Sequence, residues 1–317
     1  MKELQPTAKT PIVGRFAPSP SGGLHLGNIL CAMLAFLSAR SRGGKILLRV
    51  EDLDTARCAD AARIQQMLDD LSWFGFEWDG GEHPDTFQSR RGEIYDRYFE
   101  QLKAQGLLYP CYCTRAALHA ASAPHGALPV YNGHCRQMKE RGELPPPGRA
   151  PAYRLTVPDE VITVEDHLQG TYRQHLAEEC GDFILRRADG LTAYQLAVVV
   201  DDGLSGVTEV VRGRDLLTST PRQVYLCRLL GFPPPEYYHI PLLLREDGTR
   251  LAKRDGAIDV ATLRTRFSSP EPLIGLLAFH VGLLSKPEPI SLLELLPLFD
   301  WKKVPKTDIL LQKSGIL

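Results

Sequence analysis

The first stretch of this chain leaves it little freedom. Residues 11 to 54, PIVGRFAPSPSGGLHLGNILCAMLAFLSARSRGGKILLRVEDLD, begin with a short apolar strand and a loop bearing Pro18, Pro20, Gly22 and Gly23. An apolar run of helical spacing follows, closed by two glycines, and then a second strand that ends in acids. Strand, bare loop, helix and strand open a parallel sheet, because parallel neighbours need a crossover and a helix is the usual one. Ligands of such sheets bind beyond the carboxyl ends of the strands. The loop from 15 to 28 and Glu51 are therefore expected on one edge. Glycine and proline there let a ligand approach the backbone, and the following helix aims its first N–H groups at an anion. A nucleotide phosphate and an ordinary tight turn both fit, since neither GK[ST] nor GxGxxG occurs here.

A length of 317 residues predicts two domains, with room for an insertion. Residues 60 to 74 and 91 to 105 space Ile64, Met67, Leu68, Leu71 and Ile94, Tyr98, Leu102 as amphipathic helices. From Tyr109 to Pro151 periodicity gives way to Cys, His, Pro and Gly, the mark of a small inserted module held by something other than an apolar core. Residues 182 to 213 resume strand-like apolar runs with a turn at ADG, and RQVYLCRLLGF reads as a helix stopped by Gly231. Beyond about residue 260 the chain is leucine-rich and helical.

The formal net charge of −1 gives no overall sign of a nucleic-acid partner, so any such surface is local. Arg15, Arg40, Arg42, Lys45 and Arg49 fall in a stretch without acids, a bias that a solvated face would also produce. No apolar run reaches the roughly 18 residues of a membrane span, and the polar start MKELQPTAKT lacks the apolar core of a signal peptide. The expectation is a cytoplasmic protein with no membrane partner. Seven cysteines, an odd and scattered number, agree with a reducing compartment. Cys31, Cys58, Cys180 and Cys227 read as packed thiols. Cys111, Cys113 and Cys135 converge within the core-poor module and form a candidate metal site. A fourth ligand would come from Tyr131, His134 or His125; ordinary zinc chemistry favours histidine.

HLGN after FAPSPSGG is similar to the HIGH signature of the class I aminoacyl-tRNA synthetases, in the form used for glutamate. LLRVEDLDTAR, FEWDGG, QSRRGEIYDRYFEQLKAQGLLYPCYCT, LTAYQLAVVVDD, EVVRGRDLLTSTPRQVYL and RLAKRDGA resemble that family's blocks in the same order, across about residues 11 to 260. The resemblance implies an α/β chain: a class I synthetase-like Rossmann catalytic domain (residues 11–108 and 152–244), an inserted zinc module (109–151) and a small C-terminal helical stem-contact-like domain with the KMSKS-like loop (245–317).

It further implies that His25, Gly27 and Asn28 contact ATP, with His25 hydrogen-bonding the phosphates as a carboxylate attacks the α-phosphorus. Lys253 matches the second lysine of the KMSKS loop and would stabilise departing pyrophosphate, although Ala252 and Arg254 replace the serines. Glutamate would lie against Arg15, Phe16, Ala17, Pro18, Ser19, Glu51, Tyr194 and Arg212. Glu51 suits an α-ammonium and the two arginines suit two carboxylates. Arg212 could instead pair with nearby Asp215. In a subgroup of the family a structural zinc takes three cysteines and a tyrosine, which here gives Cys111, Cys113, Tyr131 and Cys135. Mg²⁺ would accompany ATP.

About sixty residues remain after residue 260, too few for the large anticodon-binding domain of glutamyl-tRNA synthetases. The short chain and its CxC…Y…C module resemble a truncated paralogous group. That implies tRNA-independent activation of L-glutamate by ATP, then transfer of the glutamyl group to the queuosine base of tRNA(Asp), by a monomer. Two other readings are a shortened enzyme charging tRNA(Glu) and an inert tRNA-binding regulator.

Overall fold

The computed structural model describes residues 11–54, 58, 60–80, 86–114, 130–249 and 259–311. Strand β1 (Val13–Phe16) leads through the bare loop into helix α1 (Leu26–Arg40), which returns to β2 (Lys45–Leu48). The two strands pair in parallel, Val13 opposite Lys45 and Phe16 opposite Leu48. Helix α1 is apolar almost all round because it is covered almost all round: Ile29, Leu30, Met33, Leu34 and Leu37 are fully enclosed.

Helices α2 (Ala61–Trp73) and α3 (Gly92–Ala104) form where the apolar spacing predicts them. Met67 and Leu71 are the buried apolar positions of α2, while α3 buries Tyr95, Phe99 and Leu102 with Ile94 and Tyr98 at the margin. Then come β3 (Leu108–Cys111), α4 (His134–Glu140), β4 (Ala152–Leu155), the hairpin β5 (Val161–Asp166) and β6 (Gly170–His175), and β7 (Phe183–Arg186). Strands β3, β4 and β7 make an antiparallel sheet. The ADG turn after β7 forms, Gly190 N–H donating to Arg187 O.

Residues 194 to 204 depart from the strand-like expectation. They are helix α5 (Tyr194–Leu204). The β-branched run Val198–Val200 biases the local reading toward a strand, but here every one of those positions is buried among helices α3 and α6 and the strands beneath them. Strand β8 (Glu209–Gly213), helix α6 (Thr220–Leu230) and β9 (Glu236–Ile240) complete a second parallel crossover, with Arg212 opposite His239. Strand β10 (Leu243–Arg245), helices α7 (Val260–Arg266), α8 (Glu271–His280) and α9 (Leu292–Leu295), and strand β11 (Ile309–Leu311) follow. The leucine-rich end is helical as read, except that β11 pairs in parallel with β10. Its apolar side chains share one core with α1, so Leu273, Leu277 and Leu295 belong to the same cluster as Leu30 and Met33.

The sheet runs β6-β5-β9-β8 on one side and β1-β2 on the other. Among the described residues no ladder joins β1 to β8. Their backbones are joined through Thr208, just before β8, where Val13 N donates to Thr208 Oγ1 and Thr208 N to Val13 O, both at 2.9 Å, and Arg15 Nη1 reaches the Val211 carbonyl at 3.3 Å. From β1 the chain winds outward to β2, and from β8 it winds the other way to β9. This reversal is the crevice where open α/β sheets take their ligands.

The basic bias of the first stretch is answered from elsewhere in the chain. Arg49 pairs with Asp202 at 2.5 Å, Arg15 with Asp202 at 3.4 Å, Arg40 with Asp79 at 2.8 Å, and Arg42 with Glu209. Arg15 and Arg49 are buried, so this part of the bias builds the interior and not a solvated face.

Candidate active site

The crevice between β1 and β8 opens into a cleft of about 780 Å³. Its floor on one side is the end of β1 and the loop beyond it: Arg15, Phe16, Ala17, Pro18 and Ser19 all line it. Glu51 is carried to the same edge, as expected, because its N–H donates to Pro18 O at 2.9 Å. Tyr194, at the start of α5, and Arg212, in β8, close the far side.

His25, Gly27 and Asn28 line the mouth of the cleft at the first turn of α1. Asn28 Oδ1 accepts from His25 N at 3.0 Å and fixes the turn. Gly27 sits tightly under its neighbour: a Cβ at this position would lie 3.0 Å from Cε1 and Nδ1 of the His25 ring, which would have to shift. Asp259 pairs with His25 as an antiparallel bridge, and Val260 N donates to Leu24 O at 2.8 Å, so the chain re-enters beside the His25 loop. Lys253 lies outside the described residues.

The charges of the cleft are unequally matched. Arg15 and Arg49 are tied to Asp202, and Arg49 also reaches Glu51 at 3.4 Å. Burial raises the Glu51 carboxyl above its ordinary value despite the opposing pull of Arg49 and Arg15. Burial likewise raises the Tyr194 phenol, with the nearby Glu51 adding to the rise, so it stays a neutral donor. Arg212 is different. It is 4% exposed, and among the described residues no carboxylate lies within 4.0 Å of it. Its Nε donates to His239 Nε2 at 3.0 Å and its Nη2 to Thr220 Oγ1 at 2.8 Å, and it does not pair with Asp215. A buried guanidinium whose hydrogen bonds, among the described residues, go to neutral groups gains from an anion that arrives to meet it. Arg212, Glu51 and Tyr194 around one cavity can hold a small zwitterion with an extra acid.

Sequence reasoning did not single out Asp202, Asp201, His239 or Asp166. Asp201 and Asp202 hold Arg15, Arg49 and Arg91. Two acids closing an apolar helix were the available signal, because buried acids need cations.

At the far end of β3, Cys111, Cys113 and Cys135 bring their sulfurs within 4.8 Å of one another. The Cys113 and Cys135 sulfurs are 3.5 Å apart, and the Tyr131 hydroxyl is 3.7 Å from Cys111 Sγ. Among the described residues no histidine joins them; His134 is exposed and His125 lies outside the described residues. Arg154 donates from Nε to Cys111 Sγ at 3.2 Å and stands 3.7 Å above the Tyr131 ring. Burial is the largest single influence and would raise the Cys111 thiol, but the hydrogen bond and charge of Arg154, a backbone N–H at Cys113 and the Tyr131 hydroxyl together hold it below its ordinary value. Burial and the neighbouring sulfurs push Cys113 up to about 12. Three thiols this close do not all ionise without a cation among them, and together they could hold a metal ion. Gly181 lets Tyr131 in: at φ 68° it bridges Tyr131, and a Cβ there would lie 2.4 Å from Tyr131 O.

Residues 11–287 match the family described as tRNA synthetases class I (E and Q), catalytic domain. The glutamyl-Q tRNA(Asp) synthetase of Symbiobacterium thermophilum is 48% identical over 94% of this chain and 95% of its own. That of Nocardia farcinica is 47% identical over 96% of this chain and 94% of its own. Among solved structures, the glutamate-tRNA synthetase of Elizabethkingia anophelis superposes with a TM-score of 0.81 at 27% identity, covering 97% of this chain and 69% of that one. With its reversal crevice and its HIGH-like turn, the chain belongs to the class I aminoacyl-tRNA synthetases, in the family of the glutamyl-Q tRNA(Asp) synthetases.

Proposed function

We propose that the protein activates L-glutamate with ATP, without tRNA, and passes the glutamyl group to the queuosine base of tRNA(Asp). The observation that carries the substrate is Arg212, a buried cation with no carboxylate of the described residues within 4.0 Å, lining one cleft with Glu51 and Arg15. The acceptor is supported by the relatives, which bear that tRNA in their names over nearly their whole length.

In the first step a glutamate carboxylate oxygen attacks the α-phosphorus of ATP, the bond to the bridging oxygen breaks, and pyrophosphate leaves. Glu51 takes the substrate ammonium, while Arg15 and Arg212 take carboxylates, with Tyr194 donating a hydrogen bond. His25 donates to the phosphates as charge builds, beside the backbone of Gly27 and Asn28, and Lys253 stabilises the departing pyrophosphate. Mg²⁺ accompanies the nucleotide. In the second step a queuosine hydroxyl attacks the glutamyl carbonyl carbon and loses its proton. An ester forms and AMP leaves.

Cys111, Cys113, Cys135 and Tyr131 would hold one Zn²⁺, which ties residues 109–151 together where apolar packing is sparse. Residues 11–108 and 152–244 then form the catalytic domain, the β3–β4 ladder stitching the insertion to it, and residues 245–317 the stem-contact-like part. The enzyme acts as a cytoplasmic monomer.

The test is incorporation of labelled glutamate, with ATP, into separate pools of tRNA(Glu) and of tRNA(Asp) with and without queuosine. Label only in queuosine-containing tRNA(Asp) is expected. Label in tRNA(Glu) makes this a shortened charging enzyme, and no label with no pyrophosphate exchange makes it a binding protein.

A further inference from the structure

Arg212 does not aim itself. A guanidinium on a strand can turn about its long stem, and in this cleft Asp202 is near enough for Arg212 to depress its carboxyl. Two neutral groups keep it in place. Thr220 Oγ1, at the start of α6, accepts from Nη2, and His239 Nε2, directly across from Arg212 in the β8–β9 register, accepts from Nε.

The second contact fixes the proton on the imidazole. An arginine N–H only donates, so His239 Nε2 must be the bare nitrogen and Nδ1 must carry the hydrogen. Nδ1 lies 2.5 Å from Asp166 Oδ2, the acceptor that this tautomer demands. Asp166 ends β5, and its side chain and that of His239 are both 0% exposed. Its Oδ1 also accepts from the N–H groups of Leu168 and Gln169, at 3.0 and 2.7 Å, so the carboxylate is itself immobilised. Burial lowers the pKa of His239, and the neighbouring cation lowers it further against the pull of Asp166, which agrees with a neutral ring.

We infer that Asp166 and His239 form a positioning pair for Arg212, which presents its Nη1 edge to the substrate carboxylate while keeping the protein's own negative charge one imidazole away. A carboxylate in the place of His239 would orient Arg212 equally well but would neutralise it, and the substrate would have to compete. A neutral acceptor oriented by a remote aspartate gives the geometry without the competition. The inference rests on the glutamate-activating reading, and it assigns the pair to substrate affinity and acid recognition, apart from ATP.

Glutamate-dependent pyrophosphate exchange without tRNA tests it, with KM for glutamate and for ATP read separately. His239→Asn keeps a donor toward Asp166 and removes the acceptor for Arg212. It is expected to raise KM for glutamate by about tenfold or more, the loss of a hydrogen bond to a charged group, with KM for ATP within about twofold. His239→Gln places an amide oxygen near the former Nε2 and is expected to recover most of that loss. Asp166→Asn, which presents a donor to Nδ1 and so forces the other tautomer, is expected to match His239→Asn. Equal rises in both KM values, or a Gln variant as poor as the Asn variant, reduce the pair to a structural role and overturn the inference.

Nitrogen-15 NMR of the histidines in the unaltered protein reads the tautomer directly, whether or not the variants fold. A proton on Nδ1 is expected, and a proton on Nε2 overturns the inference. Absence of exchange in the unaltered protein refutes glutamate activation instead, and the tautomer then decides the pair alone.

Discussion

Replacing Gly27 by alanine separates the chemistry of the His25 turn from its stability. The added Cβ would stand 3.0 Å from two atoms of the His25 ring, whereas ordinary contact begins near 3.4 Å, so the ring must give by roughly 0.4 Å. A misplacement of about 1 Å at a reacting centre costs on the order of a hundredfold. Scaled to this displacement, the loss is about five- to tenfold. Stability moves the other way or not at all, because alanine is favoured over glycine in a helix by up to roughly 1 kcal/mol and position 27 is already helical. The assay is glutamate-dependent pyrophosphate exchange beside a denaturant unfolding curve, with His25→Ala as the reference, expected to lose on the order of a hundredfold. Exchange within about twofold of the unaltered protein, or a loss matched by a fall in stability, would refute the reasoning that the ring's position sets the rate.

Metal analysis of native protein is expected to find one zinc per chain, with chelation destabilising residues 109–151 before the parallel sheet; hydrogen exchange of the two regions checks the order. Asp202→Asn leaves Arg15 and Arg49 without their shared charge in the interior, and a loss of about 3 kcal/mol is expected in urea unfolding. Burial holds the Glu51 carboxyl pKa above its ordinary value. Only the ionised form pairs with an ammonium, so KM for glutamate is expected to climb as pH falls through a value above the ordinary carboxyl range. In Glu51→Gln that acid limb should vanish from the pH profile.

The parts of the site that a sequence shows are those whose reason is local. A bare loop between two strands and a helix with no polar face predict a parallel sheet and its ligand edge, because steric freedom and periodicity are carried by adjacent residues. Helix α5 escapes that logic, since three consecutive valines favour a strand until the surroundings are known. The support of Arg212 escapes it more completely: Asp166 and His239 are 73 positions apart and meet only because β5 and β9 lie side by side. The candidate metal ligands fall between the two cases, since spacing gathers the cysteines while the place of Tyr131 depends on Gly181, across a bridge to another segment.

Arg212 is buried with no carboxylate of the described residues within 4.0 Å, so a substrate carboxylate bound to it would stabilise the fold as well as the complex. Whatever carboxylate completes the cleft also completes the interior, so ligand affinity is returned to the fold by mass action, about 2.7 kcal/mol at a hundredfold excess over the dissociation constant. The supply of substrate would then set not only how fast the enzyme works but how long each copy survives unfolding.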